Sequence, residues 1–170
     1  MKDFIFNLIG WLIGKVPRPV KVIGDYGPYT VVQDAVVCWE YGMVGRPGAA
    51  AYQNKRDGKY YIAVNKRMLK AGATLMTAAM AHEAAHIKAG HVGHLHQSIA
   101  MEIEADSVAY RELGVSYLLS LREMYECYPE DDDLRRRIGV INSLEWEQMR
   151  PRWEHELGRT CPVDGRHEIN

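Results

Sequence analysis

An alanine-rich segment at residues 74–90 is the feature that most constrains the fold of this chain. Its sequence, TLMTAAMAHEAAHIKAG, is apolar on nearly every side, which predicts a helix that is buried over most of its surface. Thr74 is the expected N-cap and Gly90 the expected end. The centre of this helix nevertheless carries two histidines and a glutamate, in the run HEAAH at 82–86. Burying such polar groups costs free energy unless something pairs with them, and a cation would do so.

The two histidines have the spacing of a metal-binding pair. Side chains four residues apart project from the same face of a helix, so His82 and His86 can bind one ion together. Glu83 lies about 100° round the helix from His82, where it can reach a metal-bound water without being a ligand. An HExxH run also arises by chance in soluble helices, but the buried setting favours a metal site. We therefore predict one zinc ion per chain.

Catalytic zinc usually has three protein ligands and an open position for water, so a third ligand is needed. A histidine in the HExxHxxGxxH arrangement would fall at position 92, which is Val92, and the glycine position holds Ala89. The segment MEIEADSVA offers carboxylates instead, and Glu102 and Asp106 share a helix face. We predict Glu102 as the ligand, with Glu104 as the alternative. Asp106 would then accept a hydrogen bond from a ligand histidine.

The run HEAAHIKAGH followed by EIEAD resembles the gluzincin peptidases, specifically the HtpX and CAAX-prenyl-protease-like family, in which HExxHxxxxH precedes ExxAD. The matching residues are His82, Glu83, His86, His91, Glu102, Ala105 and Asp106. The resemblance implies that His82, His86 and Glu102 bind zinc. It also implies that Glu83 is the general base and that Asp106 supports the ligands. It covers only the part of the chain that holds these two motifs.

The chain departs from that family in two respects. Larger members carry several membrane spans, which this chain lacks, so a membrane-embedded prenyl protease is not expected. Many members also have His-Pro followed by Arg-Ile, with the histidine proposed to stabilise the transition state. The nearest counterparts here are Tyr128-Pro129 and Arg137-Ile138. Tyr128 is therefore a candidate donor to the oxyanion, with an ordinary tyrosine before a loop as the alternative.

Together the motifs predict a zinc-dependent endopeptidase that hydrolyses peptide bonds through a metal-activated water, with Glu83 as general base. A peptide or protein substrate is expected to pair in extended form with the strand near 60–65, which precedes the metal helix. One alternative is a regulatory protease of the repressor-cleaving type, which cleaves one dedicated partner. Another is a catalytically inactive, zinc-stabilised binding domain. The presence of Glu83, which structural zinc does not require, favours an enzyme.

Charge and cysteine content narrow the class of protein. The chain has 21 Lys and Arg against 22 Asp and Glu, a net charge of −1, so it lacks the basic field that binding to nucleic acid requires. Its three cysteines are widely spaced, which argues against a disulfide framework. We therefore expect a cytoplasmic protein, of an oligomeric state that the sequence does not specify.

The apolar run at residues 4–13 is too short to span a membrane, since a spanning helix needs about 20 apolar residues. It predicts an N-terminal helix over residues 1–16. This helix would pack on the protein's own core or, with help from Lys15, Arg18 and Lys21, make peripheral contact with a membrane.

The predicted fold is α+β and zincin-like, over residues 17–158, with an irregular tail at 159–170. It should contain a small twisted antiparallel sheet with a hairpin formed by residues 49–53 and 58–65. The stretch at 31–39 is expected to be a strand or a buried apolar segment.

The active-site helix should be followed by a C-terminal helical part. Helices are predicted at about 98–113, 115–127 and 131–149. Gly114 should end the first of them, and Pro151 lies just beyond the last.

Overall fold

The structure is a computed structural model that describes residues 20–34, 37, 46–93 and 98–157. The predictions for the N-terminal helix, its membrane contact and the C-terminal tail lie outside these residues. Two units, Met1–Gly93 and His94–Asn170, divide the chain and are described in turn. In the part of the chain that the structure describes, no helix is both long enough and apolar enough to cross a membrane.

The described residues of the first unit form a four-stranded sheet with the strands β1 (Lys21–Tyr26), β2 (Tyr29–Gln33), β3 (Ala49–Gln53) and β4 (Tyr60–Val64). Their order in the sheet is β1-β2-β4-β3. The β1–β2 and β3–β4 pairs are antiparallel, whereas β2 and β4 run parallel. The α+β class is thus confirmed, but the sheet is mixed, and the prediction of an antiparallel sheet is wrong at the β2–β4 pairing.

Strand β4 lies inside the sheet because it is apolar on both faces. Ile62, Ala63 and Val64 are each 0% exposed. A continuous apolar run of this kind is typical of an interior strand with a parallel neighbour, whereas a strand with one solvated face alternates. The prediction that this strand offers its edge to a peptide is therefore wrong. Among the described strands, β3 lies at the edge beyond it.

Two tight turns connect the antiparallel pairs. The predicted β3–β4 hairpin is confirmed, and its turn is closed by a 2.9 Å hydrogen bond from the Asn54 N–H to the Lys59 carbonyl. Gly58 in this turn has φ +69°. The β1–β2 hairpin was not predicted, although its turn carries the Gly27-Pro28 dipeptide. Glycine takes φ +56° there, which most side chains avoid.

The segment at 31–39 is described only in part. Its first three residues belong to β2, where Val31 and Val32 are buried, and Val37 is buried as well. The prediction of a strand or a buried apolar segment is confirmed for these positions, and the rest of the segment lies outside the described residues.

Helix α1 (Ala73–Lys88) follows a short 3-10 helix (Met68–Lys70) and packs mainly against β3. Its N-cap is Gly72 rather than Thr74, because the chain enters the helix with φ +96°, a region that side chains other than glycine avoid. The small buried residues of α1 are Ala78, Ala81, Ala84 and Ala85. They allow the helix to approach the sheet closely, and the predicted burial of this helix is confirmed.

The second unit is helical over its described residues. Its helices are α2 (Ile99–Leu113), α3 (Val115–Cys127) and α4 (Asp132–Leu157), and each contacts the other two. The side chain of Ser98 caps α2 by accepting a hydrogen bond from the Met101 N–H, and Gly114 ends it. The first two helices therefore lie where they were predicted.

Helix α4 is longer than predicted, because it continues through Pro151. A proline inside a helix removes one hydrogen bond and costs about 3 kcal/mol. This helix has 26 residues, so most of its hydrogen-bond ladder is unaffected. The loss of one hydrogen bond does not end so long a helix, and the expectation that it ends near 149 is wrong.

Candidate metal centre

The two histidines of the HEAAH run face each other inside the first unit. The side chains of His82 and His86 are 9% and 0% exposed, and their Nε2 atoms lie 2.9 Å apart. The rings meet edge to face, with their centroids 4.5 Å apart. The four-residue spacing on α1 thus brings two nitrogens of ligand type to one point, as the sequence predicted.

This pair fits a zinc ion after a small adjustment. Zinc binds imidazole nitrogen at about 2.0–2.1 Å, and tetrahedral geometry then separates two such nitrogens by roughly 3.3 Å. The observed separation of 2.9 Å is shorter than that. An opening of about 0.4 Å, within the reach of side-chain torsion angles, would therefore bring His82 and His86 to the separation expected of two zinc ligands.

A third histidine, His91, contacts the Nδ1 side of the His86 ring, opposite the Nε2 atom that faces His82. Helix α1 ends in a Schellman motif, in which the His91 N–H donates to the His86 carbonyl at 2.9 Å and the Gly90 N–H donates to the Ile87 carbonyl. Gly90 adopts φ +75°, as this motif requires. The His91 ring is thereby brought onto His86, with the two Nδ1 atoms 3.0 Å apart. The sequence indicated His91 only as a nearby histidine that matches the family motif, and its contact with His86 was not predicted, although histidines on both sides of Gly90 could have indicated it.

Glu83 connects α1 to the sheet. Its side chain is 7% exposed, and its Oε2 accepts a 2.7 Å hydrogen bond from the backbone N–H of Ala51 in β3. A carboxylate that accepts from a backbone N–H forms a charge-assisted hydrogen bond, which is stronger than a neutral one. The carboxylate is therefore fixed in orientation by a strand that lies 32 residues away in sequence.

The carboxylates of α2 lie in the second unit, where one arginine binds two of them. Arg137 donates from Nε and Nη2 to the two oxygens of Asp106, at 2.6 and 2.8 Å. Its Nη1 lies 3.1 Å from Oε2 of Glu102. Because Arg137 contacts both carboxylates, the prediction that Glu102 and Asp106 lie on one helix face is confirmed. Glu104 is exposed, as expected of a side chain on a different face of α2.

Tyr117 completes this network, because its hydroxyl donates to Oδ1 of the fully buried Asp106. Burial raises the pKa of Tyr117 well above its ordinary value, and the negative charge of Asp106 raises it further, so the hydroxyl stays protonated. Burial alone would lower the pKa of Arg137. The hydrogen bonds and charge of Asp106, with the charge of Glu102, outweigh that effect and raise this pKa. Arg137 is therefore a permanent cation beside the two carboxylates.

The sequence predicted neither Tyr117 nor Arg137 as a partner of Asp106. The Arg137-Ile138 pair was noted only as a counterpart of a family motif, and no local pattern marks Tyr117. The predicted role of Asp106, supporting a ligand histidine, stays a prediction.

The remaining candidate, Tyr128, lies just after α3 and is half-buried. Its backbone N–H donates to the Met124 carbonyl, and its own carbonyl accepts from the Asp131 N–H, both at 3.1 Å. Its backbone therefore helps to form the turn between α3 and α4. Its predicted contribution to an oxyanion site stays a prediction.

No protein-family model, curated protein or solved structure matches this chain. The gluzincin resemblance therefore depends on the motif residues alone.

Proposed function

We propose that this chain is a zinc-dependent peptidase whose candidate ligands are His82, His86 and Glu102. The observation that supports it most directly is the pair of buried imidazoles with facing Nε2 atoms. Catalytic zinc commonly has three nitrogen or oxygen ligands and one open position, and two histidines with a glutamate are one of its known ligand sets. Structural zinc sites have four ligands, usually including cysteines.

The surroundings of Glu102 suit a ligand that must stay ionised. Glu102 lies in the first turn of α2, where the positive end of the helix dipole stabilises a carboxylate. Its side chain is 20% exposed, and Arg137 contacts one of its oxygens. We assign to Arg137 the role of holding Glu102 in a defined rotamer. Because Arg137 is itself bound by Asp106, it is held in place from both sides.

Glu83 is the proposed general base. When bound, zinc would supply the acidity that activates a water molecule, together with the polarisation of the scissile carbonyl. The Ala51 N–H holds this carboxylate in place through Oε2. Glu83 would take a proton from that water and pass it to the leaving amine.

The strand next to the metal helix is the proposed substrate surface. In a zincin-like arrangement an extended peptide lies along a sheet edge, and strand addition uses unpaired backbone groups of that edge. Among the described strands, β3 is the edge strand that packs against α1. The N–H of its Ala51 already donates to Glu83, so a peptide would pair with other backbone groups of this edge, close to the proposed base. We therefore assign substrate pairing to β3 rather than to β4.

The first test is the zinc content of the purified protein beside two matched variants, Glu102→Ala and Glu104→Ala. We expect about one zinc per chain in the parent, the same in Glu104→Ala and a loss in Glu102→Ala, as for a site with three protein ligands. If zinc is lost in Glu104→Ala instead, then Glu104 rather than Glu102 is the third ligand. A parent that takes up no zinc when supplied with it would overturn the proposed function.

The second test separates an enzyme from a zinc-stabilised binding domain. The parent and a Glu83→Gln variant are loaded with zinc and incubated with an unfolded protein and with quenched fluorescent peptides. Glutamine preserves the size of the side chain but cannot act as a base, so this variant should bind zinc and lose cleavage. Equal cleavage by both would exclude Glu83 as the base. A zinc-loaded parent that cleaves neither probe would count against a general peptidase.

A further inference from the structure

Three buried histidines form a continuous row in the first unit. His86 lies in the middle, with its Nε2 atom 2.9 Å from Nε2 of His82 and its Nδ1 atom 3.0 Å from Nδ1 of His91. Their exposed fractions are 9%, 0% and 6% along the row. Both nitrogens of the central ring are therefore within hydrogen-bonding distance of another imidazole.

The number of protons limits how this row can be arranged. A neutral imidazole carries one N–H and one acceptor nitrogen, so each nitrogen-to-nitrogen contact needs one proton between its two atoms. If His86 donates from Nδ1, then His91 must accept with its Nδ1. If His86 donates from Nε2 to His82, then His91 must donate instead. The row therefore has two alternative arrangements, and His91 has the opposite role in each.

A metal ion bound to the Nε2 atoms of His82 and His86 would take the place of the proton between them, and would leave only the Nδ1 atom of His86 to carry a proton. A histidine that binds a metal through Nε2 must have its lone pair there, so the proton of a neutral His86 lies on Nδ1. We infer that His91 is a positioning residue whose Nδ1 accepts this proton, fixing His86 in the tautomer and ring orientation that the metal requires. This inference rests on the proposed function. Ligand histidines generally have such a partner, most often a carboxylate, a backbone carbonyl or a water.

The backbone explains why the contact is specific. In a Schellman motif two residues commonly make an apolar contact: the one two places after the C-cap and the one three places before the C-cap. The C-cap of α1 is Ala89. Here those positions are His91 and His86, and the φ of +75° at Gly90 brings them together. A leucine at position 91 would satisfy the motif. A histidine there adds an acceptor nitrogen at the one place where His86 needs it.

The test compares His91→Asn with His91→Leu. The two side chains are close in size and shape, but the asparagine amide oxygen can accept a hydrogen bond near the position of Nδ1, whereas the leucine methyl group cannot. Zinc affinity is measured by competition with a chromogenic chelator. Thermal unfolding of the zinc-free variants controls for folding. Long-range 1H–15N spectra of the zinc-loaded parent report the histidine tautomers.

We expect His91→Leu to lose about 10- to 100-fold in zinc affinity, the range typical for removal of such a partner, and His91→Asn to stay close to the parent. The spectra should show the Nε2–H tautomer for His91. Equal affinities in the two variants, or an Nδ1–H tautomer at His91, would overturn the inference and leave the proposed function standing. A parent that binds no zinc would overturn both.

Discussion

Replacing Arg137 with methionine should strongly destabilise the helical unit. Arg137 donates two hydrogen bonds to Asp106, which is 0% exposed, and forms an ion pair with Glu102. Methionine retains much of the apolar length of the side chain but removes the guanidinium group. The substitution would therefore take away the positive charge beside the buried Asp106 carboxylate, while the hydrogen bond from Tyr117 could still form.

The size of the effect follows from the burial of this ion pair. Removing one partner of a buried ion pair costs about 3–5 kcal/mol, because the other charge stays out of water without compensation. In a protein of this size each kcal/mol lowers the melting temperature by about 2–4 °C. The expected decrease in melting temperature is therefore roughly 6–20 °C. A loss of that size is a large part of the stability of about 5–15 kcal/mol that is usual for a folded domain.

The assay is urea and thermal unfolding followed by far-UV circular dichroism. Arg135→Met is a matched control on the same helix. Arg135 pairs with Asp132 at 2.9 Å, but the two side chains are 61% and 74% exposed. Exposed pairs of this kind contribute about 0–1 kcal/mol, so the control should be nearly neutral. If Arg137→Met loses no more stability than Arg135→Met, then Arg137 does not compensate the buried charge of Asp106 as proposed here.

Two further predictions concern backbone conformation and one exposed carboxylate. Gly90→Ala should lower the melting temperature, because φ +75° costs a residue with a Cβ about 1–2 kcal/mol, whereas Gly139→Ala inside α4 should raise it by removing a helix-interior glycine. An added Cβ meets nothing within 4 Å at either position, so thermal melts that shift both variants in the same direction would contradict this backbone argument. The Lys59 N–H and, to a smaller extent, the Tyr61 hydroxyl lower the pKa of Asp57 below the ordinary value of an aspartate, so a 13C NMR titration of its carboxyl group should have a midpoint below that of an unperturbed aspartate. The stabilisation from these hydrogen bonds is then present above the unfolded-state pKa and is lost as the pH falls through the folded-state pKa, and a midpoint that is not lowered would contradict this prediction.

The parts of the structure that the sequence predicted well are those that depend on near neighbours. Ser98 and Gly114 mark the two ends of α2, and the four-residue spacing of His82 and His86 determines that their rings share a face. Each of these features is set within a few residues along the chain. Their physical causes can be read directly from the order of the amino acids.

The features that were missed depend on contacts between distant residues. Arg137 lies 31 residues after Asp106, and the Ala51 N–H lies 32 residues before Glu83. A pattern with the period of a helix or a strand contains no information about such pairs. The parallel pairing of β2 with β4 is likewise a property of the folded sheet, so an antiparallel sheet was the natural but incorrect expectation.

The strand order also separates fast folding events from slow ones. Each antiparallel pair of the sheet, β1 with β2 and β3 with β4, joins strands that are consecutive along the chain, and hairpins of this kind form in about 1–10 μs. The parallel pairing joins Val31 to Ile62, so it has to close a much longer loop before any contact rewards it. We therefore expect the pairing of β2 with β4, which joins the two hairpins, to be the step that limits the folding rate of the first unit. The hydrogen bond that orients Glu83 joins α1 to β3, so it belongs to the second hairpin and the helix that follows it, and the setting of the proposed base can form before the slow pairing of β2 with β4.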